Sequence, residues 1–139
     1  MKITLDTNVL VSGLISPFGN PAEILRMISS GEIRLCFDAR ILLEYEEVLG
    51  RPKFQFDKTK VRALLDQIAH VGQLVAPSPL KHSLPDPDDE PFLEVAIAGK
   101  AICLVTGNID HFPPNRRQRM RVMTPTKFLA FYRKQMKNT

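Results

Sequence analysis

Short apolar segments alternate with longer amphipathic segments along the chain, and this order constrains the fold more than any other feature. The short runs are typical of buried strands, and the longer segments repeat their apolar residues with a helical period. Strands that alternate with helices are typical of a parallel sheet covered by helices, so the pattern predicts an α/β fold. The predicted strands are Lys2–Leu5, Arg34–Phe37, Leu74–Val75, Ile102–Thr106 and Arg121–Met123, and the predicted helices are Asn8–Leu14, Pro21–Ser29, Ala39–Leu49, Lys58–His70, Asp89–Ala98 and Thr124–Met136.

The length of 139 residues predicts one domain that spans 1–139. The composition, 44% hydrophobic and 24% charged, is typical of globular proteins and excludes a mainly disordered chain. No run approaches the roughly 18 apolar residues of a membrane span, and Asp6 stands where a signal peptide would keep its apolar core. We therefore expect a cytoplasmic protein without a membrane segment.

The cysteines and histidines do not form a metal-binding pattern. Cys36 and Cys103 lie far apart in apolar runs, which predicts two buried thiols without a disulfide. The three histidines lack a short mutual spacing, which argues against a zinc site.

The charges are distributed unevenly along the chain. From His111 onward there are eight Lys or Arg residues and no acidic residue, whereas 11 basic and 15 acidic residues precede it. An acidic body with a basic flank suits a protein that holds a polyanion beside a bound cation. Charge alone, however, favours the simpler interpretation of a solvated surface.

Polar side chains follow two of the predicted strands. Asp6 comes directly after the first strand, and Asn108 and Asp110 follow the fourth. Ligands of open parallel sheets bind beyond the carboxyl ends of the strands, so these residues are candidates for one shared site.

The helical period separates the three glutamates of the third helix. Glu47 lies almost opposite the apolar stripe and is predicted to face solvent. Glu44 and Glu46 both flank the stripe, and the period does not choose between them.

In the fifth helix, Asp89 is predicted to lie on the buried face, while Asp88, Glu90 and Glu94 point away. One of the aspartates at 86, 88 and 89 is expected to cap the helix. Several inward carboxylates would repel each other, by about 4 kcal/mol for a pair at roughly 4 Å and an effective dielectric near 20. Such a cluster requires a cation, and oxygen ligands of this kind select Mg²⁺ or Mn²⁺.

Four segments in this order resemble those of PIN-domain ribonucleases: Ile3–Leu10, Leu43–Leu49, Asp86–Leu93 and Leu104–Asp110. The resemblance covers nearly the whole chain. It implies a three-layer α/β/α fold with a central parallel sheet, and an acidic site that uses Mg²⁺ or Mn²⁺ to hydrolyse RNA.

Carried over to this sequence, the resemblance implies that Asp6, Glu44 and Asp89 are catalytic acids and metal ligands. Asn8 would orient the first acid, and Thr106 would form hydrogen bonds within the site. The chain has Asn108 where the family usually has a fourth acid. Asp110 is the candidate that replaces this acid, so Asn108 and Asp110 are both counted as possible metal ligands.

The resemblance also implies partners. Many small members of the family are toxins that cleave RNA until an antitoxin protein blocks the site, and homodimers or higher oligomers are frequent. Within the basic flank, the residues expected to guide an RNA strand are Arg116, Arg117, Arg119 and Arg121.

Two alternatives remain open at this stage. A haloacid-dehalogenase-type phosphatase also places an aspartate after its first strand, but it needs a second aspartate where this chain has Asn8. A non-catalytic member that binds RNA or protein is motivated by Asn108.

Overall fold

The computed structural model of the protein describes residues 1–138, and its centre is a sheet of five parallel strands. The strands are β1 (Lys2–Leu5), β2 (Arg34–Phe37), β3 (Gln73–Leu74), β4 (Cys103–Val105) and β5 (Val122–Met123). Their order is β3-β2-β1-β4-β5, so β1 lies in the middle between β2 and β4. All five predicted strands are therefore confirmed, with β3 one residue earlier than expected.

Six helices connect the strands: α1 (Thr7–Ile15), α2 (Asn20–Ser29), α3 (Ala39–Leu49), α4 (Lys58–Val71), α5 (Glu90–Ala98) and α6 (Pro125–Lys137). Four single 3₁₀ turns, which were not predicted, lie at Pro52–Phe54, Pro87–Asp89, Ile109–His111 and Pro114–Arg116. Three of these turns begin with proline, whose fixed backbone angle suits the first position of a helical turn.

The helices cover both faces of the sheet. α5 contacts the three central strands, while α2 packs with α1, α4 and α6. Because both faces are covered, the central strands are mainly apolar beyond their first residues, although Thr4 is polar and buried, and Cys36 and Cys103 are buried free thiols as predicted. The three-layer α/β/α architecture is thus confirmed. No helix within residues 1–138 is both long and apolar enough to cross a membrane.

Tyr45 fixes α3 against the end of β1. Its side chain is completely buried, and its hydroxyl donates a hydrogen bond of 2.5 Å to the carbonyl oxygen of Leu5. Burial raises the pKa of Tyr45 well above its usual value, so the phenol stays protonated and remains a donor. The contact sets the position of the preceding residue, Glu44, beside the end of β1.

The prediction for Glu94 was wrong. The helical period placed this side chain away from the core, but it is buried. The guanidinium of Arg40 lies 2.8 Å from one carboxylate oxygen, and the backbone N–H of Leu80 donates to the other. The proline-rich connector before α5 therefore covers a side of the helix that its sequence pattern leaves polar.

We expect Tyr45→Phe to lower the free energy of unfolding by about 1–2 kcal/mol, because the buried carbonyl of Leu5 loses its hydrogen-bond donor. Urea unfolding measures this loss. Tyr132→Phe is the matched control, since Tyr132 is only partly buried and its hydroxyl lies beside Glu32. Equal stability of the two variants would show that the Tyr45 hydroxyl does not anchor α3.

Candidate active site

Asp6 lies at the carboxyl end of the central strand and is held by two side chains. The pairing of Leu5 with Val105 places it next to Thr106, whose hydroxyl donates a hydrogen bond of 2.7 Å to Oδ2. The side-chain amide of Asn8 donates to the same oxygen at 3.4 Å. The sequence therefore correctly groups Asp6 with Asn8 and Thr106 in space.

The loop after β4 is tied to the same residues. The backbone N–H of Gly107 donates to Oδ1 of Asn8 at 3.2 Å, and that of Asn108 donates to the Thr106 hydroxyl at 3.0 Å. Asn8 and Thr106 thus each connect Asp6 to this loop. The position of Asp6 and the shape of the loop depend on each other.

The structure separates Glu44 from the other glutamates of α3. Glu44 is partly buried and accepts a hydrogen bond from the hydroxyl of Thr7, the residue after Asp6. Glu46 and Glu47 are exposed and form ion pairs with arginines on the surface. Sequence reasoning missed Thr7, although its position between Asp6 and Asn8 was a usable signal.

Asp89 ends the 3₁₀ turn that precedes α5, and its side chain is buried as predicted. Asp86 caps this turn by accepting a hydrogen bond of 2.9 Å from the backbone N–H of Asp88, so Asp89 is not needed as a cap. Oδ2 of Asp89 has no hydrogen-bond partner of good geometry, although Nδ1 of His111 lies 3.2 Å away. Sequence reasoning missed His111, because nothing in its spacing links it to Asp89.

Asp6 interacts electrostatically with both Glu44 and Asp89. Burial is the main cause of the raised pKa of Asp6, and hydrogen bonds from Thr106 and Thr7 offset part of it. Burial also raises the pKa of Glu44, and the negative charge of Asp6 adds to this effect. Burial and then the charge of Asp6 raise the pKa of Asp89 to about 6, with His111 acting in the opposite direction. In Asp6, Glu44 and Asp89, which we call the acid cluster, burial therefore disfavours the charged form, and a nearby cation would offset this cost.

The donor chemistry of the acid cluster fits a hard divalent cation. Within residues 1–138 no group of three or more acidic, cysteine or histidine side chains is already arranged around a metal position. Mg²⁺ does not require such a cage, because it commonly uses one or two carboxylates and keeps several waters. Oδ2 of Asp89 is buried and accepts no hydrogen bond of good geometry, so it is the carboxylate oxygen best able to accept a cation.

Asn108 and Asp110 lie outside this arrangement. Both are exposed, and Asp110 lies in the 3₁₀ turn Ile109–His111. Within residues 1–138, no hydrogen bond or ion pair joins Asp110 to the acid cluster, whereas the backbone N–H of Asn108 donates to Thr106, which in turn donates to Asp6.

The four arginines of the basic flank do not share one surface. Arg116 donates to the carbonyl of Ser83 at 3.1 Å, and Arg117 donates to that of Phe112 at 2.6 Å. Arg119 and Arg121 line a cavity together with Lys2, at the amino ends of the strands. Arg119 and Arg121 thus lie at the amino ends of the strands, whereas Asp6 lies at the carboxyl end of β1.

The sequence profile of the PIN domain matches residues 2–110, which includes the whole acid cluster. The chain belongs to the PIN domain family. Members of this family are nucleases, and they generally use divalent metal ions. The sequence of this chain is 28% identical over 145 residues to an uncharacterised protein of Methanocaldococcus jannaschii, and the match covers 96% of this chain and 93% of that protein.

A solved structure shows the same fold. The chain is similar to the crystal structure of VapBC2 from Rickettsia felis bound to a DNA fragment from its promoter, with a TM-score of 0.60 and 19% identity. The match covers 89% of this chain and 98% of that chain. At this identity the likeness establishes the PIN fold alone.

The raised pKa of Asp89 predicts how metal-free stability depends on pH. Because the folded state holds the proton up to a pKa of about 6, this group stabilises the fold at about pH 4 and loses its contribution as the pH rises through 6. Asp89→Asn should remove this dependence, worth on the order of 1 kcal/mol after solvent screening. Urea unfolding at pH 4.5 to 7.5, in the presence of a chelator, measures the slope.

Asp110→Asn is the matched control for this slope, because Asp110 is an exposed carboxylate in the neighbouring loop. Identical pH slopes for Asp89→Asn and the wild-type protein would contradict a buried, destabilised carboxylate at position 89.

Proposed function

We propose that the chain is a metal-dependent endoribonuclease that hydrolyses phosphodiester bonds of single-stranded RNA, with 1–139 forming one nuclease domain. The observation that carries this proposal is the acid cluster itself. Asp6, Glu44 and Asp89 come from three separate parts of the chain, and the charge of Asp6 raises the pKa of each of the other two. In a PIN fold, this arrangement supports a site for Mg²⁺ or Mn²⁺ beside a bound phosphodiester.

The acid cluster would hold the metal. The candidates for a fourth ligand are Asn108 and Asp110, of which Asn108 is favoured because its backbone N–H donates to Thr106. A bound divalent ion supplies activation of water and stabilisation of the charge that develops on the phosphate. The chain's own residues hold the acids in place: Thr106 and Asn8 bind the carboxylate of Asp6, and Thr7 binds that of Glu44. These contacts hold the carboxylates of Asp6 and Glu44 in fixed orientations before a metal binds.

Arg116 and Arg117 follow the loop that carries His111, so they are the members of the basic flank best placed to guide an RNA strand toward the acids. Arg119 and Arg121 lie at the amino ends of the β-strands, so they would contact only an RNA strand that extends past the acid cluster. Loss of either kind of phosphate contact reduces the salt dependence of RNA binding.

We further propose that the protein is the toxin of a toxin–antitoxin pair, with an antitoxin protein as its partner. Support comes from the likeness of its fold to VapBC2, which was crystallised with DNA from its promoter. Self-association as a homodimer or higher oligomer belongs to the same proposal. The exposed side chain of Leu43, next to Glu44 on α3, is one possible contact.

Asn108 favours one alternative, a PIN domain that binds RNA or protein without cleaving it. The exposed amide provides no charge at the place of the usual fourth acid. The phosphatase alternative has less support. Asn8 stands where that mechanism needs a general acid, and its amide is already bound to Asp6 and Gly107.

Cleavage of a random-sequence pool of single-stranded RNA, with Mn²⁺ or with a chelator, tests the proposal. We expect Glu44→Gln to reduce Mn²⁺-dependent cleavage by more than about a hundredfold, because even indirect contacts to metal ligands are worth about ten- to a hundredfold. Glu47→Gln is the matched control on the same helix. Glu47 is exposed and its ion pair with Arg51 contributes little, so this variant should retain full activity.

Metal binding is measured separately from cleavage. At a hundred times its dissociation constant, Mn²⁺ should stabilise the wild-type protein by about 2.7 kcal/mol, and Glu44→Gln should weaken this effect. Wild-type protein that is stabilised by Mn²⁺ but cleaves no RNA would support the non-catalytic alternative. Cleavage that persists in the chelator would refute the metal-dependent mechanism.

Asn108→Asp should tighten Mn²⁺ binding and raise the cleavage rate at limiting metal more than at saturating metal. The substitution adds a carboxylate at a backbone position that is bonded to Thr106. Asp110→Asn should change neither quantity, because Asp110 is exposed and outside the acid cluster. The reverse result, a loss of activity in Asp110→Asn and no gain in Asn108→Asp, would assign the fourth acid to Asp110.

A further inference from the structure

A second site is suggested by a cavity at the amino ends of the strands, on the opposite edge of the sheet from the acid cluster. It is a depression that is wide open to solvent, with a volume of about 540 Å³. Its basic lining residues are Lys2, Lys100, Arg119 and Arg121. We call it the basic cavity.

No acidic side chain lines the basic cavity, and none of its four cations forms an ion pair with a carboxylate in the described chain 1–138. Lys2 begins β1, and Arg121 immediately precedes β5, two strands away. The spacing of neighbouring strands places these two backbone positions roughly 10 Å apart. Four cations around one concave surface repel each other, and a bound anion would relieve this repulsion.

The backbone around the basic cavity is held in an uncommon conformation. Lys100 and Arg119 have φ values of 54° and 70°, in the left-handed region that favours glycine. Gln118, before Arg119, also has a positive φ of 50°, and its side chain is bonded to the backbone of Lys81. Residues held in this way cost free energy and concentrate at ligand sites.

The remaining lining is apolar. Ile102 and Met120 contribute to the surface between the cations, and Ile102 is an exposed hydrophobic side chain. The guanidinium of Arg121 lies 4.9 Å from the ring centre of Phe131 on α6, outside the lining of the basic cavity, so Lys2, Lys100 and Arg119 are the cations left to contact a ligand. A surface that combines several cations with an apolar floor matches a molecule with an anionic part and a flat apolar part.

We propose that the basic cavity binds a nucleotide, with its phosphates on Lys2, Lys100 and Arg119 and its base against Ile102 and Met120. The nucleotide is either free or part of an RNA strand, since both present the same chemistry. The proposal does not depend on the ribonuclease activity, because the basic cavity shares no residue with the acid cluster.

Equilibrium binding in the presence of a chelator tests this site without cleavage. The probes are a fluorescent ATP analogue and a labelled single-stranded hexanucleotide RNA. We expect Lys100→Ala with Arg119→Ala to weaken binding by at least about tenfold, because two charge-assisted contacts are lost. For RNA, the slope of log affinity against log salt should fall by about 1.4, or about 0.7 for each lost contact.

Lys58→Ala with Lys60→Ala removes the same charge from α4 and is the matched control, because neither lysine lines the basic cavity. Arg119→Glu, at an exposed side chain, is the second variant in case the double variant does not fold. Ile102→Ser should weaken binding of the ATP analogue but not of inorganic pyrophosphate, which has no base.

Loss of binding of the ATP analogue in the cavity variants would identify a free nucleotide as a ligand. Loss confined to the hexanucleotide would identify a nucleotide within an RNA strand. The proposal is overturned if the wild-type protein binds neither probe, or if the cavity variants bind both probes as tightly as the α4 control. The binding assay contains a chelator and measures no cleavage, so a failure of the ribonuclease proposal leaves this test intact.

Discussion

The hydroxyl of Thr106 donates a hydrogen bond to the carboxylate of Asp6 and accepts one from the backbone N–H of Asn108. This one side chain therefore connects the carboxyl ends of β1 and β4 to the loop that follows β4. A carboxylate as buried as that of Asp6 is unfavourable unless hydrogen bonds satisfy it. Thr106 supplies the shorter of its two side-chain hydrogen bonds, and Asn8 supplies the other while also holding Gly107. The same side chains whose hydrogen bonds satisfy the buried carboxylate of Asp6 therefore also order the loop after β4.

The cost of the acid cluster is offset elsewhere in the fold. The core extends over both faces of the sheet, and Tyr45 connects this core to the last residue of β1. A rigid β1 end is required, because Asp6 and Glu44 would otherwise move apart to reduce their repulsion. Packing thus holds Asp6, Glu44 and Asp89 in positions where burial raises the pKa of each carboxyl group.

Residues whose position follows from the strands could be predicted from the sequence. Asp6 and Thr106 each follow a central strand, and parallel pairing alone places them side by side. The helical period was less reliable, since it left Glu44 and Glu46 open and misplaced Glu94. His111 could not be found, because its contact with Asp89 depends on how the loop after β4 folds over α5. Local patterns do not encode how connectors cover a helix.

The distribution of charge along the sequence does not match its distribution in space. The basic flank follows the acidic part of the chain. Because β5 runs parallel to β4, however, the chain returns to the amino ends of the strands before β5 starts. Arg121 therefore lies at the amino ends. The acid cluster consequently lies at the carboxyl ends of the strands and the basic cavity at their amino ends. An approaching polyanion is attracted to the amino edge and repelled by the acid cluster until a cation neutralises the cluster. For the proposed ribonuclease, metal binding and RNA binding at the acid cluster are therefore coupled by electrostatics, whereas binding at the basic cavity requires no metal.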